Sequence, residues 1–422
     1  MKQNKIFGSL RVGSLRFALL TSLLIASLGL ARAGVSTDSK DIPSPKQVFG
    51  FAPGTEGKLA IYDDIVAYLE KLDRASPKLM LQRLGKTTEN NDFVMAIISS
   101  PENLKNLSKI QKSQALLADP RHTSAARAEQ IIRTSPAVVL VNCSIHSTEV
   151  GPAQMAPQLA YELCTSDEPR VQRILQHTVV LLVPAHNPDG QKMIVNWYNK
   201  VKGTKYVSSP PPFLYQKYVG HDNNRDWFMF TQAETRITVE KIHNVWRPQI
   251  TVDMHQMGRN GARLFVPPYI DPIEPNVDPI LVSQIARAGT DVLATLTAEG
   301  KTGVVMNAIF DAWTPARAYP HYHHGVRFLT ETASANLASP VNIKPETLRG
   351  RFGYNPRKAS WNFPAPWKGG KWTLADIVEY NRAAALAILD HMARNREAWL
   401  RSYYAVARKA GRRCGPFDAY PR

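Results

Sequence analysis

Cysteine is scarce in this chain. Only Cys143, Cys164 and Cys414 occur in 422 residues, which excludes a scaffold built on disulfides and leaves room for one bridge and one free thiol. Cys143 sits inside an apolar run, where a small buried hydrophobe is the ordinary reading, and none of the three is assigned to a metal. The sequence also lacks His-Glu-x-x-His, setting aside helix-borne zinc sites, and Gly-x-Ser-x-Gly, setting aside a serine-hydrolase elbow. Two Gly-Lys-Thr triplets, at Gly85 and Gly300, miss the first glycine of a phosphate loop, because Met80 and Thr295 hold that position. Internal repeats and low-complexity tracts are absent.

With 44% hydrophobic and 21% charged residues, the chain can bury a large core and is not disordered overall. Lysine and arginine (52) outnumber the acids (35), for a net charge of +17. Part of that excess lies in residues 1–33. Lys2, Lys5, Arg11 and Arg16 precede the apolar run Phe17–Leu30, and Ala31 and Ala33 supply the small residues of a secretory cleavage site. The run is short for a membrane span, and no other stretch approaches that length. Residues 1–33 are therefore expected to be a signal peptide, and the mature protein to be exported, periplasmic or extracellular, with no stable membrane span. The remaining basic residues are scattered, clustering only at "VKGTK" and "RKAGRR". No nucleic-acid module accompanies them, so a solvated surface is expected and nucleic acid is not an expected partner.

Residues 34–50 read as a polar lead-in. Apolar residues at Ile61, Ile65, Val66, Leu69 and Leu72 have the spacing of one helical face. "LMLQRLGKTTENNDFVMAIISS" reads as two strands joined at Glu89, Asn90 and Asn91. A polar, helix-prone stretch follows to about residue 133, and a last helical stretch runs from near Thr373. The Pro-rich "SSPPPFLY" from Ser208 falls in a long irregular section, expected to be a loop overhanging a site.

Four strand-length apolar runs are each followed at once by polar residues. "AVVLVNCSI" leads to His146 and Glu149, "TVVLLVPA" to "HNPDG", "PQITVDM" to His255, and "VRFLT" to Glu331. Nearly continuous apolar strands are covered on both faces, which implies an α/β layer fold. In such folds ligands collect beyond the carboxyl ends of the strands. Imidazole and carboxylate are common zinc ligands, and a catalytic site needs three of them with one position open. His146, Glu149 and His255 are candidates for such a set. The group His321, His323 and His324 is a rival metal patch, read as lining of the site because Glu331 is so near.

The ordered set "HSTE", "NPDG", "NNRDW", "DMHQMG" and "FLTET" resembles the zinc carboxypeptidase family, the carboxypeptidase A-like metallopeptidases, especially secreted bacterial members. The resemblance extends from about Pro45 to Arg408. It implies a three-layer α/β/α sandwich with a mixed, largely parallel central sheet, and a catalytic domain spanning residues 51–408. It further implies one Zn2+ per chain on His146, Glu149 and His255, and Glu331 as the catalytic glutamate. Arg225 with Asn224 would grip the terminal carboxylate of a peptide substrate with a free C-terminus. The family's mobile tyrosine has two counterparts, Tyr319 and Tyr322. Two departures stand out. No arginine lies between Gln191 and Asn224 to stabilise the oxyanion, leaving Lys200, Lys202, Lys205, Lys217 or the distant Arg247 as candidates. "TTENND" stands where many relatives have a Glu-Gly-Arg turn. Residues 409–422 form a short basic tail, whose "GPFDAYPR" looks like the opening of a further domain. A zinc amidase acting on cell-wall peptides or another non-protein amide is the alternative enzyme; a non-catalytic binding protein is the alternative outside enzymes.

Overall fold

The computed structural model of the protein describes residues 42–216, 221–313 and 319–413. All belong to the unit Thr37–Arg422. The expected signal peptide, Lys217 and Cys414 lie outside the described residues.

Twelve strands are present among the described residues: β1 (Leu79–Lys86), β2 (Asp92–Ile98), β3 (Ala137–Cys143), β4 (Thr178–Val183), β5 (Ile250–Met257), β6 (Leu264–Phe265), β7 (Ile270–Ile273), β8 (Val304–Val305), β9 (Asp311–Ala312), β10 (Val326–Ala333), β11 (Val341–Ile343) and β12 (Gly370–Trp372). Eight form the central sheet, in the order β1-β2-β4-β3-β5-β10-β6-β8. Its centre, β4-β3-β5-β10, is parallel throughout, while β2 pairs antiparallel with β4 and β6 antiparallel with β10. This is the expected α/β sandwich with a mixed sheet.

Side-chain alternation along each strand feeds two apolar layers. Val139 and Val141 join the layer that packs against helices Tyr62–Ala75, Val150–Thr165, Pro279–Ala298 and Leu374–Arg394. Val138 and Leu140 point the other way, toward Ile110, Ile242 and Trp246. Strands buried on both faces explain why the sequence shows unbroken apolar runs there. The expected hairpin at Glu89–Asn91 is present, with Asn90 in the left-handed region (φ 63°). The C-terminal stretch is two helices, Leu374–Arg394 and Arg396–Arg413, separated at Asn395. Cys143 and Cys164 are buried free thiols. Among the described residues no helix is long and apolar enough to cross a membrane.

The topology places the candidate residues. From β3 the chain moves outward to β4, then crosses to β5 on the far side of β3, so the strand order reverses at β3/β5. A crevice opens at the carboxyl ends of parallel strands at such a reversal. His146 and Glu149 follow β3, His255 lies near the end of β5, and Glu331 lies near the end of β10.

Candidate metal centre and active site

The turn after β3 is tied to the helix that follows it. Ser144 adopts φ 48°; its hydroxyl donates to the Glu149 carbonyl at 2.7 Å and accepts from the Ala153 amide at 3.0 Å. Glu149 immediately precedes helix Val150–Thr165, where the positive end of the helix dipole favours a carboxylate. The next turn approaches β5 closely. The Gly151 amide donates to Gln256 Oε1 at 2.6 Å, and a Cβ at position 151 would stand 2.3 Å from Ile377 Cγ2. Glycine at 151 lets the start of this helix pack closely against helix Leu374–Arg394 while its amide reaches Gln256.

Three donor groups converge. His146 Nδ1 lies 2.8 Å from Glu149 Oε1, His255 Nδ1 lies 3.0 Å from Glu149 Oε2, and the two imidazole rings are 4.9 Å apart. Among the described residues these three form the only group of histidine, cysteine, aspartate or glutamate able to share a metal ion, with donor atoms within 4.8 Å of one another. The outer nitrogens are also held: His146 Nε2 is 3.4 Å from Asp222 Oδ1, and His255 Nε2 is 3.1 Å from Asp253 Oδ2. A carboxylate on each Nε2 turns each Nδ1 toward Glu149 and the centre of the group, the second layer characteristic of zinc-binding histidines. His₂Glu with both Nδ1 atoms turned inward fits zinc.

The charge distribution points the same way. Burial disfavours the charged form of His146, but Glu149 and Asp222 outweigh it and raise its pKa to about 9. Burial also works against ionised Glu149, yet His255 and His146 pull it down to about 2. The carboxylates thus hold positive charge in the site even without an ion.

Glu331 stands beside His255 in the β10–β5 register and is buried. Burial raises its pKa to about 7, with Glu149 adding to the rise and His255, His146 and Arg327 opposing it. An acid whose pKa is higher folded than unfolded stabilises the fold fully at low pH, and that contribution is lost as pH rises from about 4.5 to about 7. Across that range the difference amounts to about 3 kcal/mol at 1.36 kcal/mol per pH unit. The metal-free Glu331→Gln protein is therefore expected to melt about 5 °C above the metal-free native protein at pH 8 and level with it near pH 4. Paired thermal melts in chelator check this, and equal melting at pH 8 would contradict it.

The turn that carries the Asn-Arg pair adjoins the site through Asp222, which meets His146. Asn223–Arg225 is one 3-10 turn capped by Asp222, whose carbonyl accepts from the Arg225 amide at 2.9 Å. Arg225 is exposed, while Asn224 is buried with Oδ1 unpartnered. A surface pair between Arg225 and Asp226 is not what forms, because the Asp226 carboxylate accepts from His221, Thr231 and Gln232. The end of the Pro-rich loop is tied to the turn after β4: Asn187 of "NPDG" donates to the Tyr215 carbonyl and to Asn223 Oδ1, both at 3.0 Å.

Other expectations are corrected. His321, His323 and His324 precede β10, about 17 Å of strand from Glu331, and do not line the metal site. Closeness in sequence became distance because an extended strand lies between. His323 and His324 instead border a separate cavity of about 200 Å³ with His243 and Arg247. Arg247, just before β5, is likewise at the wrong end of its strand to meet an oxyanion. Lys202 bonds Asn199 at 2.9 Å, and Lys205 lies over the Tyr206 ring. Tyr319 packs in an aromatic cluster with Trp227 and Phe230, whereas Tyr322 is 49% exposed. Sequence reading missed Asp222, Asp253 and Arg327. Asp253, two residues before His255 on one strand, shares its face, and that spacing could have found it.

The zinc carboxypeptidase family profile matches residues 65–319, well over half of the chain and short of Glu331. This chain belongs to the zinc carboxypeptidase family. No curated protein matches it. Among solved structures, carboxypeptidase A from Helicoverpa armigera is 14% identical with a TM-score of 0.49, covering 83% of this chain and 75% of that one. A metallo-carboxypeptidase from Burkholderia cenocepacia is 13% identical with a TM-score of 0.48, covering 78% and 68%. One from Pseudomonas aeruginosa, in complex with (2-guanidinoethylmercapto)succinic acid, is 14% identical with a TM-score of 0.46 and covers 78% and 68%. Membership adds to the donor geometry, since this zinc carboxypeptidase family chain carries a fitting His₂Glu set.

Proposed function

We propose that the protein is an exported zinc-dependent carboxypeptidase that removes residues from the free C-terminus of peptides. The observation carrying this reading is the convergence of His146 and His255 Nδ1 on the two oxygens of Glu149, with Glu331 in register with His255. Bound by these three residues, zinc would lower the pKa of a water and polarise the scissile carbonyl. Glu331 takes the attacking water's proton and passes it to the departing amine. Its burial, which disfavours the charged form, favours taking up that proton. Asn224 and Arg225 hold the terminal carboxylate, for which a guanidinium offers two charge-assisted hydrogen bonds in one plane. Tyr319, packed in one cluster with Ile145 next to His146, is the candidate for closing over the substrate, whereas Tyr322 borders the separate cavity with His323 and His324.

Peptides with free and with amidated C-termini, incubated with the zinc-loaded protein and followed by mass spectrometry, test the proposal. Single-residue loss confined to free C-termini is expected. No cleavage of either set would overturn the carboxypeptidase reading and direct attention to cell-wall amides. Arg225→Gln is expected to lower kcat/KM for free C-termini about 10- to 100-fold, the loss of a charged hydrogen-bonded contact. Arg225→Lys is expected to recover only part, because an ammonium cannot reproduce the fork. An Arg225→Gln protein as selective for free C-termini as the native one would remove this residue from the site.

A further inference from the structure

The sheet face that holds Val138, Leu140, Val179, Leu181 and Val183 is apolar, yet a line of buried polar groups crosses it from His186 to Arg327. His186 Nδ1 lies 3.1 Å from Asn142 Oδ1, and Asn142 Nδ2 donates to Asp253 Oδ1 at 3.4 Å. Arg327 then donates to Asp253 Oδ2 from Nε at 2.8 Å and from its second terminal nitrogen. Asp253 and Arg327 are 5% and 3% exposed. A buried ion pair is often no more stabilising than apolar residues of the same volume. Stability therefore does not account for charges in this layer.

Their position relative to His255 does. His255 Nε2 stands 3.1 Å from Asp253 Oδ2 and 3.3 Å from the Arg327 guanidinium. If Nδ1 offers its lone pair to a metal, Nε2 must carry the proton. Arginine has no acceptor, so the only acceptor for that proton is Asp253. We propose that Asp253, clamped by Arg327, is a positioning residue that fixes the ring orientation and tautomer of His255 so that Nδ1 faces the metal. This rests on the reading of His255 as a ligand. The two histidines are supported differently: Asp222 holds His146 from a surface turn, whereas the Asp253–Arg327 pair holds His255 from within the sheet.

The test uses the full chain carrying Asp253→Asn, or Asp253→Leu combined with Arg327→Met. The double variant replaces the pair with apolar groups of similar size and should keep the fold. Zinc affinity is measured by competition with a chromophoric chelator, metal-free melting reports the fold, and the absorption spectrum of the cobalt-substituted protein reports ligand geometry. Both variants are expected to fold, to bind zinc about 10- to 100-fold more weakly, and to give an altered cobalt spectrum. Zinc affinity within twofold of native and an unchanged spectrum would overturn the proposal, even if melting falls. If the double variant does not fold, Asp253→Asn decides alone. A native protein that binds no zinc would overturn the ligand reading itself, whereas native binding with unaffected variants sinks only this inference.

Discussion

Glutamine in place of Glu331 is expected to lower kcat about 10²- to 10⁴-fold while the protein keeps its zinc, the range for loss of a positioned general acid–base. The side chain stays the same size but can no longer accept the proton of the attacking water. Glu331 is outside the converging donor set, so metal content should stay at one zinc per chain. KM should change little, because the Asn224–Arg225 turn is untouched and the lost interaction belongs to the transition state. Steady-state kinetics beside metal analysis checks this. A kcat within threefold of native would mean that another group moves the proton.

Removing the metal should be at least as severe. A strong chelator is expected to take turnover to background and added zinc to restore it. In His255→Ala the site keeps two donors, and zinc should restore little, because a catalytic zinc needs three protein ligands. The affinity loss should exceed that of altering Asp253, since a ligand is removed rather than its support. Residual chelator-resistant turnover in His255→Ala would show that hydrolysis does not depend on this site.

Much of this site could be read from the sequence because it is built from strand ends. β3, β5 and β10 each read as a continuous apolar run ending in a polar group, and parallel pairing carries those ends to one edge of the sheet. What pairs across strands was not legible. Nothing local in "VRFLT" says that Arg327 reaches across to Asp253, since the contact depends on the order β5-β10. The histidines of "HYHH" misled for a related reason: nearness to Glu331 was counted along the chain, yet most of β10 separates them. The helical stretch expected from near Thr373 is present as two helices parted at Asn395, where a local cap ends one before the other begins.

The most direct measurement is a zinc titration of the metal-free protein in which bound metal and cleavage of a free-C-terminal peptide are recorded together. Turnover rising in proportion to bound zinc and ending at one ion per chain is the predicted result. Zinc that binds without turnover, or turnover indifferent to zinc, would contradict the assignment of His146, Glu149 and His255 as a catalytic metal centre.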